Sequence, residues 1–145
     1  MTGWRLGWSV WPENLIKYAK KLCVNDHSCP STISQYAGLE ALKGPKDGIK
    51  TIVSEFEKRR NFIFDQLNKI NNLSCFKPGG AFYAFPNVSK TGLSGNLFAK
   101  KALDEHYVAL VPGNSFGDTP QNFVRISYAN SLENIEKALK RLSKI

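Results

Sequence analysis

Cysteine is scarce: the 145 residues hold three, Cys23, Cys29 and Cys75. Thiols that are few, scattered and odd in number do not make a disulfide framework, and they read as reduced. Metal chemistry has little to stand on. His27 and Cys29 lie two apart, and no second pair completes a zinc site, so no metal is expected. A Cys/His nucleophile pair likewise lacks an orienting partner in the local sequence. Neither GxxxxGKS/T nor GxGxxG occurs, which excludes the most readable phosphate loops. No run approaches the ~18 apolar residues of a membrane span, and Met1-Thr2-Gly3-Trp4-Arg5 has no apolar segment with a cleavage site. The expected location is the cytoplasm, with no membrane partner.

What is present is ordinary core material and an excess of positive charge. A chain of 145 residues suffices for one domain, or for one compact domain plus an adjacent fragment. It could bury roughly 68–70% of its unfolded surface. Apolar residues at 42% and aromatics at 12% exclude wholesale disorder. Lys and Arg number 20 against 12 Asp and Glu, a net charge of +8, enough to attract phosphates or carboxylates non-specifically. The excess is spread along helix faces, as in Lys17, Lys20, Lys21 and Lys58, Arg59, Arg60, which is the pattern of a solvated surface. A nucleic-acid-binding reading rests on that charge alone and has no recognised motif.

Along the chain, Leu6 to Trp11 suggests a short strand. Asn14 to Val24 then places Leu15, Ile16, Ala19, Leu22 and Cys23 at helical spacing behind Pro12 and Glu13. A second helix is expected over Thr32 to Leu42, after Ser31 and before Lys43-Gly44-Pro45. From Pro45 to about Asn71, Ile49, Ile52, Val53, Phe56, Ile63, Leu67 and Ile70 fall on one stripe. A helix of roughly 25 residues is about 38 Å long, which suits a connector between domains. Cys75-Phe76 and Ala81 to Phe85, separated by Lys77-Pro78-Gly79-Gly80, predict two strands and a tight turn. A helix over Leu93 to Glu105 follows, then buried strands at Tyr107 to Val111 and Phe123 to Tyr128. In the latter Val124, Ile126 and Tyr128 alternate with Arg125 and Ser127. The last helix, Leu132 to Leu142, has Asn130 and Glu133 at capping-box spacing, Glu136 early and Lys137, Lys140 and Arg141 late. Helices first, then strands among helices, give an α/β chain whose second half is α+β. The first 40 or so residues offer one strand without a partner and read as part of a larger core.

Two arginines stand out. Arg5, in Thr2-Gly3-Trp4-Arg5-Leu6-Gly7-Trp8, has glycines that allow close backbone approach and tryptophans that shield a guanidinium. Phosphate recognition suits it; so does cation–π stacking on Trp4 or Trp8. Arg125 interrupts an apolar strand, where a charge needs solvent or an anion. A substrate carboxylate, an internal Asp or Glu, or exposure would each answer. Pro112-Gly113-Asn114-Ser115-Phe116-Gly117 is either a binding loop after a strand or turn chemistry. Pro78-Gly79-Gly80-Ala81-Phe82-Tyr83 is either an active-site wall or a hairpin turn with core aromatics.

Together these segments resemble the C-terminal portion of class I, fold-type I aminotransferases that use pyridoxal 5'-phosphate, the aspartate aminotransferase branch most of all. Four motifs carry the likeness in order: Met1 to Trp8, Pro78-Gly79-Gly80-Ala81-Phe82-Tyr83-Ala84-Phe85-Pro86, Val108 to Gly117, and Phe123-Val124-Arg125-Ile126-Ser127-Tyr128-Ala129. The resemblance implies the end of the large cofactor-binding domain in 1–44, a connecting helix in 45–72 and a small α+β domain in 73–145. It implies that Arg5 holds the cofactor phosphate and that Arg125 clamps the α-carboxylate of amino acid and 2-oxo acid substrates, in a homodimer. Tyr83 and Asn114 line the pocket region by position only. The segment from His27 to Ser34 corresponds to a loop near the active site and subunit interface, with no role carried onto its residues.

The resemblance also implies a catalytic lysine, the Schiff-base lysine, eight residues before the position of Arg5 and therefore four upstream of Met1. No catalytic residue is then assigned within the chain, which is expected to be inactive alone. Ser89-Lys90-Thr91-Gly92 imitates the lysine signature, but Phe98 and not arginine stands eight residues after Lys90. A non-catalytic carboxylate-binding or dimerisation module is the alternative for the chain taken literally.

Overall fold

A computed structural model describes residues 1–118 and 120–145. They divide into two compact units, Met1–Gly48 and Ile49–Ile145.

In the first unit, α1 (Glu13–Asp26) begins directly after Pro12 and α2 (Thr32–Lys43) directly after Ser31, both as the sequence predicts. Pro12, at φ −54°, is already set for the helix it precedes. Lys46 donates from Nζ to the Ala41 carbonyl at 2.8 Å, satisfying one of the carbonyls that the end of α2 leaves open. Leu6–Trp11 is not the expected strand. It runs without regular secondary structure, because a strand needs a ladder partner and the unit supplies none. Ser34 and Gly38 are the only buried residues of this unit among those described. They lie one turn apart on α2 and leave a shallow groove. Leu6 packs there so closely that a β-carbon at Gly38 would collide with it. Ser34 donates from Oγ to the Trp4 carbonyl at 3.1 Å. No residue of α1 is buried, and Trp8, Val10, Leu22, Ile33 and Tyr36 are all more than 60% exposed.

The second unit has a core. Helix α3 (Asp47–Leu67), which begins two residues before this unit, is 21 residues long, about 32 Å. It stops earlier than the periodicity suggests because Asn68 turns its side chain to the backbone of Cys75. Asn68 Nδ2 donates to the Cys75 carbonyl at 3.1 Å and the Cys75 N–H donates back to Oδ1 at 3.0 Å. Its apolar stripe divides: Ile63 and Leu67 are fully buried, whereas Ile49, Ile52 and Val53 are exposed.

The expected tight hairpin does not form, since the backbone of Cys75 is taken by Asn68 and Phe76 is 91% exposed. Ser74 instead bridges Asn87, and only Tyr83–Ala84 of the second segment is a strand, β1. After it come α4 (Gly95–Asp104), capped by Ser94, and β2, which is Val111–Pro112 and not the predicted Tyr107–Val111. Tyr107 has a left-handed backbone, φ 56°, and is exposed, so the chain enters the sheet later. β3 (Val124–Ser127) lies between the other two, in the order β1-β3-β2, antiparallel to both. Helix α5 spans Leu132–Leu142, as predicted. Its cap sits one residue later than the capping-box reading: Ser131 Oγ accepts from the Asn134 N–H at 3.2 Å, and Asn130 supports Ser131. One face of β3, with Val124, Ile126 and Tyr128, packs with Ile63, Leu67, Phe98, Ala102, Ile135, Leu139 and Leu142 in a single cluster.

The contrast between the units predicts their stability. Amide hydrogen exchange is expected to show the weakest protection in Met1 to Leu42 and the strongest in α5 and β3, because only the latter bury apolar area. The exposed apolar side chains of the first unit should also drive concentration-dependent self-association. Uniform protection in a strictly monomeric sample would contradict both expectations.

Candidate functional site

Pleating dictates where Arg125 stands. Side chains alternate across a strand, so burial of Val124 and Ile126 at 0% and 8% exposure sends Arg125 to the opposite face of the sheet. There it is opposite Val111 of β2. Its guanidinium carbon lies 4.3 Å from the ring centre of Tyr83 and 4.5 Å from that of Phe116. Tyr83 comes from β1 and Phe116 from the 3-10 turn Gly113–Phe116 that follows β2. β1 and β2 flank β3 on its two sides, so the rings reach the guanidinium from segments on either side of its strand. Among the described residues no carboxylate lies within ion-pair distance of Arg125, while Arg59 and Arg60 are paired to Glu55 and Glu57 at 2.9 Å each. Of the three answers open to a charge in this strand, the internal acid is therefore the one the fold does not use.

The two ring-bearing segments are themselves held in place. The Pro78–Tyr83 segment is secured by Tyr128, whose hydroxyl donates to the Ala81 carbonyl at 2.9 Å and whose N–H donates to the Phe82 carbonyl at 2.9 Å. Burial raises the Tyr128 hydroxyl above its ordinary pKa, so it remains a proton donor throughout the neutral range. The left-handed backbone in this segment falls on Ala81, φ 60°, and not on Gly79 or Gly80. On the other side, Phe116 packs edge-on to Phe85, with ring centres 6.1 Å apart. Gly113 is required by close approach: its N–H donates to the Phe123 carbonyl at 2.8 Å, and a β-carbon would run into the Pro120 and Phe123 carbonyls.

Arg5 belongs to the other unit. The Trp4 and Arg5 N–H groups donate to the Met1 and Thr2 carbonyls at 3.1 Å each, closing successive tight turns that put Arg5 at φ 55°. Ser34 anchors the turn through the Trp4 carbonyl. The guanidinium borders a shallow pocket of about 290 Å³ lined by Thr2, Arg5, Leu6 and Gly7. Neither Trp4 nor Trp8 stacks on Arg5 among the described cation–π contacts, and both rings are largely exposed. Neither the tryptophan shielding that the phosphate reading assumed nor the stacking of its alternative is found among the described contacts.

Lys90 is exposed on a 3-10 turn, Ser89–Thr91. Asn114 is exposed on the turn that carries Phe116. His27 pairs with its neighbour Asp26 at 3.0 Å, and no group of three or more His, Cys, Asp or Glu able to hold a metal occurs among the described residues. Sequence reasoning missed Phe116. Its only signal was an aromatic residue at the end of a turn-rich loop, and the strand order that aims it at Arg125 is not a local property.

A small antiparallel sheet with buried side chains on one face, and on the other an arginine with no ion pair among the described residues, defines an α+β domain. The sequence model of aminotransferase class I and II matches residues 1–142, and the chain belongs to that family. It is 41% identical over 147 residues to an aspartate aminotransferase of Geobacillus stearothermophilus, covering 98% of this chain and 37% of that protein. It is 38% identical, also over 147 residues, to aromatic-amino-acid aminotransferase 2 of Thermococcus litoralis, covering 100% of this chain and 38% of that one. The solved aromatic aminotransferase of Pyrococcus horikoshii superposes with a TM-score of 0.87 at 38% identity, over 99% of this chain and 39% of its own. The chain thus spans a little over a third of the length of the relatives it matches, and its fold is the corresponding portion of the aminotransferase fold. Relatives of similar identity are named for aspartate and for aromatic amino acids, so the likeness carries no choice of substrate.

The close approach at Gly113 gives a direct test of how the Phe116 turn is built. Gly113→Ala must displace backbone carbonyls, and is expected to destabilise the second unit by about 1–3 kcal/mol, the usual cost of forcing atoms into a filled site. Urea unfolding followed by amide exchange in α5 measures this; an unchanged midpoint would show the turn to be loose.

Proposed function

We propose that this chain is the C-terminal portion of a pyridoxal-phosphate-dependent aminotransferase that moves an amino group between an amino acid and a 2-oxo acid. The observation that carries this reading is Arg125: a guanidinium on the open sheet face, bracketed by rings and without an acid partner among the described residues. Its N–H groups are left for two parallel, charge-assisted bonds to a carboxylate. Arg125 is accordingly assigned to the substrate α-carboxylate and Arg5 to the cofactor phosphate. The Arg5 turn suits a phosphate: Arg5, without an ion pair among the described residues, lines an open pocket together with Thr2. When bound, the cofactor supplies the electron sink of the reaction. The chain's own part is to bind and orient. In this reading 1–44 end the large domain, 45–72 connect, 73–145 form the small domain, and the complete enzyme is a cytoplasmic homodimer.

The lysine that bonds the cofactor in the family has no counterpart at the family's spacing here, and Lys90 lies on an exposed turn of the second unit. The isolated chain is therefore expected to show no transaminase turnover. Borohydride reduction in the presence of pyridoxal phosphate, followed by peptide mapping, should find no stoichiometric, site-specific adduct; such an adduct on Lys90 or another lysine would overturn the assignment.

In the complete enzyme, Arg125→Lys keeps the charge and loses the fork. Loss of one charge-assisted hydrogen bond costs about 1.5–3 kcal/mol, hence a fall in kcat/KM of about 10- to 150-fold. The fall should extend to every amino-acid substrate and carboxylate inhibitor, with cofactor content unchanged. Retained kcat/KM with release of the cofactor would mean that the two arginine roles are reversed.

A further inference from the structure

Arg125 is held by aromatic rings where an acid would ordinarily be expected, and the two choices have different consequences. A carboxylate partner orients a guanidinium by occupying its N–H donors. A ring orients it by covering a face of the plane and leaves the donors at the edge unused. Here the guanidinium carbon lies over two rings, at 4.3 Å and 4.5 Å from their centres. They arrive from segments separated by more than thirty positions, and each segment is braced on its own account. Tyr83 is tied through the Tyr128 bonds to its loop, and Phe116 through Gly113 and the edge contact with Phe85. The Tyr83 ring also contacts that of its neighbour Phe82, tilted by 44° with ring centres 4.5 Å apart. A guanidinium held by ring faces keeps its edge donors for a ligand.

We propose that Tyr83 and Phe116 are positioning residues that hold the Arg125 guanidinium edge-on to an incoming carboxylate. This deepens, and rests on, the carboxylate role proposed above for Arg125. Because the rings act through their faces, the hydroxyl of Tyr83 is dispensable, and any aromatic residue at 83 or 116 serves.

The 145-residue chain contains five arginines, so its side-chain Nε–Hε resonances are few enough to resolve by NMR. Arg125→Lys identifies the Arg125 signal by its loss. In the native chain this signal should be displaced upfield by the ring currents, away from the other four. Tyr83→Leu and Phe116→Leu should each move it back toward the free-arginine position, whereas Tyr83→Phe and Phe116→Tyr should keep it. Titration with acetate, followed on the same resonance, should show binding weakened about two- to fivefold in each leucine variant, as expected for losing one cation–π contact of ~0.5–1 kcal/mol, and restored in the aromatic variants. An Arg125 signal at the free-arginine position in the native chain, with the amide spectrum of the second unit folded, overturns the clamp without recourse to any variant. A displaced signal with equal acetate affinity in native and leucine variants overturns the positioning role. A displaced signal that acetate never moves overturns the carboxylate role of Arg125 on which the proposal rests, a failure distinguishable from the other two.

Discussion

Burial of Val124, Ile126 and Tyr128 fixes the register of the central strand, and the face on which Arg125 stands follows from it. A slip of one residue would exchange the two faces, placing a guanidinium in the cluster around Phe98 and Leu139 and three apolar side chains against solvent. Each of those side chains is worth about 1.5–3 kcal/mol when buried, so the register has no close competitor. The neighbouring strands inherit it. β1 and β2 are two residues each, too short to specify pairing on their own, and they are aligned by bonding to either side of β3.

That alignment makes the site possible. Tyr83 and Phe116 meet Arg125 because their segments flank the strand that carries it. An internal carboxylate in their place would give a stronger electrostatic hold, but it would neutralise the guanidinium and consume its N–H donors. Arg59 and Arg60, each paired to a glutamate on its own helix, show the arrangement that Arg125 avoids. The rings give up binding strength and preserve binding capacity. The braces behind them, at Tyr128 and Gly113, form parts of the same architecture as the core, so a change in packing there is felt at the arginine.

The first unit is built on the opposite balance. Its helices form where Pro12, Ser31 and Gly44 start and stop them, but their apolar side chains find little to cover them. Only the Ser34–Gly38 groove, filled by Leu6 and the Trp4 carbonyl, ties the N-terminal turns to a helix. This modest anchor sets the conformation of Arg5. The chain's coverage of little more than a third of its relatives agrees with a set of elements whose apolar surface exceeds what they bury among themselves.

The existence of the helices and the alternation of the last strand were legible in the residues, since both depend on local periodicity and on strong start and stop signals. So was the family, because four short motifs in a fixed order are sequence properties. The hairpin was misread at Cys75, where a side chain seven positions away, Asn68, takes the backbone bonds a strand would have used. The strand at Leu6–Trp11 failed because pairing requires a partner that periodicity cannot supply. The sequence marked Arg125 as a charge needing an answer, but left acid, solvent and substrate all open. Only the tertiary structure set aside the acid: strand order brings Tyr83 and Phe116, and no carboxylate among the described residues, to this guanidinium, and such contacts between distant segments exist only once the sheet has closed.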